Sequence, residues 1–381
     1  MPVEARQDRV PELDGLRGVA ILLVLLFHYI SLEGPTKTGS WSSFLQRIVI
    51  MGWTGVDLFF VLSGFLIGGI LIDARGSPNY FKTFYARRFF RIIPIYYLWI
   101  LGYILLASLG GPFVRAHSHS GAMLQLGPAI YSHFLFLQNL GFIHVTGLTG
   151  AWFSHTWSLA VEEQFYLVAP LVIWLLSQRR LSIFLVVVIA GAPLLRLGLL
   201  QCFHADPWLV SVVMPTRADT LAVGMLAAIL WRNATFRAGL TTHNGVLYLL
   251  LGLFSGGAVA FWRWSPQSLA FGMESVGYSC MALFYGVMLL LVLARPTSLF
   301  AAAARIGWLR ELGTVSYCVY LIHLVVDVFC HAILLHDTPR FSNGRAVVVS
   351  LFAGFLTYGI AKFSWIVFER PLLRRGHSFS Y

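Results

Sequence analysis

Arg17 and His28 are eleven residues apart in an apolar stretch. On an α-helix this spacing brings them to within about 20° of one face, about 16 Å apart along the axis. A cation and an imidazole on one stripe could hold an anionic ligand at one end and move a proton at the other. In Tyr85-Ala-Arg-Arg-Phe-Phe-Arg, Arg87, Arg88 and Arg91 fall within five residues, with Arg88 and Arg91 sharing a face at i,i+3. Planar guanidinium groups at a helix amino terminus suit phosphate and pyrophosphate, and the same cluster also suits anchoring at a membrane face. In Thr156-Trp-Ser-Leu-Ala-Val-Glu-Glu-Gln-Phe-Tyr, Ser158, Glu162 and Tyr166 align at i,i+4 steps, and Glu163 lies about 100° away. Either carboxylate could orient His28 or stabilise its charged form; either could instead pair with Arg196 or Arg217. Asp57, in Gly55-Val-Asp-Leu-Phe-Phe-Val-Leu-Ser-Gly-Phe, and Asp219, in Arg217-Ala-Asp-Thr-Leu, are carboxylates in similarly apolar surroundings.

The elements that carry these residues must be membrane helices. Only 11% of the 381 residues are charged and 58% are hydrophobic, whereas soluble domains carry roughly a quarter charged residues. Mean hydropathy is +0.75. A span needs about 20 mainly apolar residues, and that length predicts ten: 16–32, 50–72, 92–109, 155–177, 181–201, 216–231, 245–263, 270–294, 313–335 and 346–368. With both termini in the cytoplasm, most basic residues fall on the inner side, among them Arg6, Arg9, Arg17, Arg87, Arg179, Arg232, Arg305 and Arg374. The stretch 110–154 is broken by Gly127, Pro128, His133, Gln138 and Asn139. It reads as a long outer loop holding a re-entrant helix, covered by protein because irregular backbone at membrane depth needs polar partners; an eleventh span is the alternative. Arg6, Arg9 and Arg17 ahead of an apolar run mimic a secretion signal, but no small-residue cleavage site follows before Glu33 and Pro35, so the run is expected to stay as a helix.

Ionisable groups within spans are costly and mark functional positions. In this topology His28, Asp57, Glu162 and Asp219 share the outer part of the bilayer, which predicts a single buried polar centre. His323, nearer mid-span, is expected to be a structural hydrogen-bonding group. The net charge of +11 is spread in short clusters between apolar runs, which speaks for the bilayer rather than nucleic acid. Cys202, Cys280, Cys318 and Cys330 form no CxxC pair, and there is no HExxH, GxxxxGK[ST] or strand-linked GxGxxG. Metal chemistry and nucleotide hydrolysis are therefore not expected.

The blocks Leu13-Asp-Gly-Leu-Arg-Gly with Arg-X10-His ending at His28, Gly55 to Phe65, Arg88-Phe-Phe-Arg91, Trp157 to Tyr166, Tyr317 to His323 and Phe368-Glu-Arg-Pro occur in order. Together they resemble the acyltransferase family 3 membrane proteins, which include O-acetyltransferases of O-antigens, other exported glycans and macrolide antibiotics. The resemblance implies an all-α, polytopic, ten-helix acyltransferase core over 1–381 with a buried polar centre. It also implies an acyl-CoA donor, acetyl-CoA by default, entering from the cytoplasm, and O-acylation of a carbohydrate-containing acceptor. No metal is expected. Some relatives append an extracytoplasmic relay domain; none is expected within this chain, so a relay would be a separate partner protein.

The assignment that follows makes His28 the base, with Glu162 or Asp57 stabilising its imidazolium. Arg17, Arg87, Arg88 and Arg91 hold the donor, and Trp157, Ser158, Glu163, Tyr166 and Asp219 contact the acceptor. Direct attack of the acceptor hydroxyl on the thioester is preferred to an acyl-enzyme on Ser63 or a tyrosine. The loop around Arg115, His117 and His119 is the expected place of acceptor selectivity. The competing reading from another class is a transporter that moves a glycolipid or small solute unmodified, since buried charges and broken helices also mark transport sites.

Overall fold

In lipid every backbone polar group must be satisfied within the chain, so long apolar runs close into helices. The computed structural model describes residues 10–31, 41–109, 130–140, 147–243, 245–341 and 343–381. Among the described residues there is no strand, and ten helices are long and apolar enough to cross a bilayer. They are α1 (Pro11–Ser31), α2 (Trp41–Asp73), α3 (Tyr80–Leu109), α4 (Thr149–Leu175), α5 (Gln178–Gln201), α6 (Pro207–Arg232), α7 (Gly245–Trp264), α8 (Met273–Ala294), α9 (Ser316–Leu335) and α10 (Gly344–His377). The protein is a multi-pass, all-α membrane protein.

Glycines set the closest crossings. A Cβ on Gly64 of α2 would overlap the Leu221 carbonyl oxygen of α6, and one on Gly224 of α6 would overlap the Val61 carbonyl of α2. Small residues permit this approach where lipid supplies no hydrophobic drive between helices. The glycines around Arg17 work in the same way. Gly15 lies against the Ala304 carbonyl and Gly18 against the Leu309 carbonyl, which clamps α1 onto the short helices Leu299–Ala304 and Gly307–Thr314.

Four spans run well past the hydropathy reading: α2 and α6 begin earlier, at Trp41 and Pro207, and α3 and α10 are extended by basic turns. α3 begins at Tyr80, so Arg88 and Arg91 lie eight and eleven residues inside the helix rather than at its amino terminus. A hydropathy window finds the apolar part of such a helix and misses its polar, basic first turns. For the same reason α10 runs on through Arg370 and Arg374 to His377. Between 110 and 154 the structure describes a short helix, Ile130–Phe134, and the approach to α4 beginning at Gly147. Past that helix, Gln138 and Asn139 are buried and bonded to the Thr156 and Val212 carbonyls, while 110–129 and 141–146 lie outside the described residues, with Arg115, His117 and His119.

Among the described residues three π-helical turns interrupt the bundle: Phe27–Ser31, Met273–Gly277 and Trp365–Glu369. Each carries an ionisable residue, His28, Glu274 and Glu369 respectively. Such wide turns are frequent at functional positions. The first changes the phase of α1 at His28, so the face shared with Arg17 on a regular helix does not carry over unaltered.

Candidate active site

A cavity of about 190 Å³ lies between α1, α2, α3, α4 and α9. Its polar lining is Arg17 from α1, Ser63 from α2, Arg88 and Arg91 from α3, Ser158, Glu162, Glu163 and Tyr166 from α4, and Ser316, Tyr317 and Tyr320 from α9. The predicted i,i+4 stripe of α4 therefore faces one space. Tyr166 and Ser63 share a hydrogen bond of 2.7 Å across α2 and α4. The Arg88 guanidinium stands 5.8 Å from the Tyr166 ring centre, and its buried Nε has no hydrogen-bond partner among the described residues.

A wider space of about 1100 Å³ adjoins the cavity at the helix ends that carry Asp73, Arg232 and His377. Arg17 and Arg91 line both. Arg232, Arg237, Arg370, Arg374 and His377 complete a basic wall, with Asp14 and Asp73 as its acidic members. Asp73 is paired with Arg232 at 2.5 Å. Among the described residues Arg88 and Arg91 form no ion pair. A cationic vestibule narrowing to unpaired guanidinium groups is suited to an anionic ligand. Arg87 is turned away. It donates to the Phe379 carbonyl at 2.7 and 3.0 Å and lies 5.0 Å over the Tyr381 ring, so it fixes the C-terminal segment against α3.

His28 is half-buried, and its ring meets that of His323, which in turn meets His155. His323 Nε2 lies 3.2 Å from His28 Nδ1. The His155 ring centre is 5.2 Å from that of His323. Tyr320, which lines the cavity, donates to the His155 carbonyl at 2.7 Å and lies 2.6 Å from the Ser158 hydroxyl. The histidine cluster and the cavity thus share a wall. No carboxylate of the described residues forms an ion pair with His28.

Asp57 and Asp219 belong to a separate polar group. Asp57 accepts from Arg217 at 2.5 Å and Asp219 from Arg196 at 3.0 Å, all four side chains being buried. Both guanidinium groups flank the Tyr278 ring, at 3.8 and 5.7 Å from its centre. Trp157 faces Arg217 at 5.9 Å rather than the cavity. The single centre expected from shared depth is therefore divided among the cavity with Glu162, the histidine cluster, and this pair of ion pairs. Depth constrains one coordinate, and the missing one is the angle around each helix axis.

Sequence reasoning set His323 aside and did not single out His155. The signal was available in the spacing. His155 and Ser158, and likewise Tyr320 and His323, are i,i+3 pairs, so each histidine shares a helix face with a hydroxyl that meets the other's partner.

A bundle of apolar helices enclosing a basic vestibule, a carboxylate-lined cavity and an imidazole cluster defines a class: a membrane-embedded protein equipped for proton transfer beside an anionic ligand. Over residues 10–362 the chain matches the acyltransferase domain family, and it belongs to that family, acyltransferase family 3. Its relatives include the peptidoglycan O-acetyltransferase OatA of Listeria monocytogenes, 27% identical over 96% of this chain and 56% of that protein. The O-acetyltransferase OatA of Staphylococcus aureus is 26% identical over 96% of this chain and 58% of that protein. The putative peptidoglycan O-acetyltransferase YrhL of Bacillus subtilis is 26% identical over 97% and 56%. The chain spans a little over half the length of these relatives. No solved structure matches it.

Proposed function

We propose that this protein is an O-acyltransferase of the cytoplasmic membrane, with both termini cytoplasmic, that moves an acetyl group from acetyl-CoA to a hydroxyl of a glycan. The observation that carries the reading is that Arg17 and Arg91 line both the basic vestibule and the inner cavity. A cationic space therefore adjoins the cavity that holds Glu162, Glu163 and Tyr166, and the histidine cluster borders that cavity through Tyr320. The orphaned, buried Nε of Arg88 is a donor awaiting an anion, which fits coenzyme A phosphates. Peptidoglycan is the first acceptor to test, given the names of the relatives.

Bound acetyl-CoA supplies the acyl thioester. Arg88 and Arg91 hold its phosphates, and Arg17 flanks the path between vestibule and cavity. His28 takes the proton of the acceptor hydroxyl as that oxygen attacks, and returns it to the departing sulfur, so the histidine ends unchanged. Glu162 and the Tyr166–Ser63 pair line the reaction space, and Glu162 offsets the positive charge that gathers there. Ser158 and Glu163 contribute acceptor contacts. Asp57, Asp219 and Trp157 act from the neighbouring ion-pair layer, where they hold α2, α4 and α6 in place.

Calorimetry of the purified protein with acetyl-CoA tests the reading. Binding is expected in the wild type, lost in Arg88→Ala/Arg91→Ala and kept in His28→Ala. A folded wild type that binds neither acetyl-CoA nor longer acyl-CoAs contradicts it.

A further inference from the structure

We infer that His323 is a positioning residue for His28: together with the Val24 carbonyl it accepts the Nδ1 proton of His28, which leaves Nε2 as the basic nitrogen of a ring held in place. The inference rests on the role of His28 proposed above.

The argument runs through acceptors that cannot donate. His323 Nδ1 lies 2.7 Å from the Tyr320 carbonyl oxygen. A carbonyl only accepts, so Nδ1 carries the hydrogen, and Nε2 of the neutral ring is left as an acceptor. That Nε2 lies 3.2 Å from His28 Nδ1, which is also 2.9 Å from the Val24 carbonyl oxygen. His28 Nδ1 thus faces two acceptors and must be the donor to both. A neutral imidazole has one N–H, so the lone pair of His28 is on Nε2.

The surroundings hold His323 in this role. Its side chain is fully buried. Tyr29 donates to its carbonyl oxygen at 3.1 Å, and the rings of His155 and Tyr320 stand 5.2 and 5.9 Å away. In hydrolase triads a carboxylate orients the base. Here a neutral ring does so, which fixes the tautomer without placing another charge at membrane depth. When His28 Nε2 takes the hydroxyl proton, the Nδ1–H···Nε2 bond to His323 becomes charge-assisted and shelters the imidazolium. When Nε2 gives that proton to the departing sulfur, both rings return to their starting forms.

The test compares His323→Leu, which cannot accept, with His323→Gln, whose Oε1 can occupy the place of Nε2. Acetyl-CoA affinity, kcat and KM are measured, and wild type and both variants are labelled with 15N-histidine for NMR. The expected result for His323→Leu is acetyl-CoA affinity within about twofold of wild type and kcat lower by about 100-fold. His323→Gln should recover most of that loss, and His28→Ala/His323→Leu should be no slower than His28→Ala alone. In the wild type the His28 signal should report a protonated Nδ1, and in His323→Leu, where the Val24 carbonyl is the acceptor left, a larger share of the Nε2–H form. An unprotonated Nδ1 on wild-type His28, wild-type kcat in His323→Leu, or a double variant slower by the product of the single losses would each overturn the inference. Full turnover by His28→Ala would instead overturn the catalytic reading. The NMR comparison of wild type with His323→Leu still decides the tautomer in that case; if His323→Leu fails to fold, His323→Gln carries the test, a protonated His28 Nδ1 with most of the wild-type kcat supporting the inference and an unprotonated Nδ1 with that kcat overturning it.

Discussion

Arg217 reaches across from α6 to place Nη2 2.5 Å from Oδ1 of Asp57 on α2, with both side chains shielded from solvent. The pair spans the same two helices that Gly64 and Gly224 bring into backbone contact. It is one of two ion pairs that meet around Tyr278, the other joining Arg196 of α5 to Asp219 of α6. Removing one member of such a pair leaves the other charge buried and unpaired. Asp57→Ala is therefore expected to destabilise the fold by about 3–5 kcal/mol. Denaturation of the detergent-solubilised protein measures this. A fully stable but inactive Asp57→Ala would return Asp57 to the chemistry.

The α2–α6 crossing has no room for a side chain. Gly64→Val is expected to cost more than about 1–3 kcal/mol, the usual range for overpacking, because the obstructing atom is backbone. Gly191→Ala meets nothing within 4 Å and is the control. Yield of monodisperse protein and thermal midpoint read the difference. Equal behaviour of the two would mean that the helices do not approach this closely.

Arg87 and Arg88 are neighbours in sequence with different tasks. Arg88→Ala is expected to weaken acetyl-CoA binding by about tenfold or more, the loss of one charge-assisted contact. Arg87→Ala should leave affinity near wild type and loosen the C-terminal segment that it holds through the Phe379 carbonyl. Calorimetry gives the first result and limited proteolysis near the C-terminus the second. Loss of binding from Arg87→Ala alone would place that residue on the ligand path.

Glu311, on the short helix Gly307–Thr314, accepts a hydrogen bond from Lys362, which holds its carboxyl below the usual range. The folded-state value is depressed, so the contribution to stability is present above the unfolded value of about 4.5 and is lost as pH falls through the folded one. Both side chains are more than a third exposed, and solvent screening keeps the contribution below about 1 kcal/mol. Thermal midpoints of Glu311→Gln and wild type should differ slightly at pH 7 and converge in acid. A difference that persists at low pH would remove the ion pair as its cause.

Ten spans and the face of α4 carrying Ser158, Glu162 and Tyr166 were legible because hydropathy and the 3.6-residue repeat are local properties. The start of α3 was not, since its first turns are basic and aromatic and resemble a cytoplasmic loop. Nor was the division of the polar residues. Asp57 and Glu162 share one expected depth, and whether each meets an arginine or the cavity depends on helix rotation, which glycine contacts such as Gly64 with Leu221 determine. His323 looked structural because a lone histidine in a span carries no sign of its partner, and that partner, His28, lies 295 residues away in the chain.

The central claim is that His28 moves the proton in an acetyl transfer fed from the basic vestibule. The most direct measurement uses proteoliposomes given acetyl-labelled acetyl-CoA and peptidoglycan fragments, followed by mass spectrometry of the glycan. The predicted result is label in base-labile O-acetyl esters with wild type, and a loss of about 100-fold or more with His28→Ala that still binds acetyl-CoA. Wild-type transfer by a folded His28→Ala would contradict the claim.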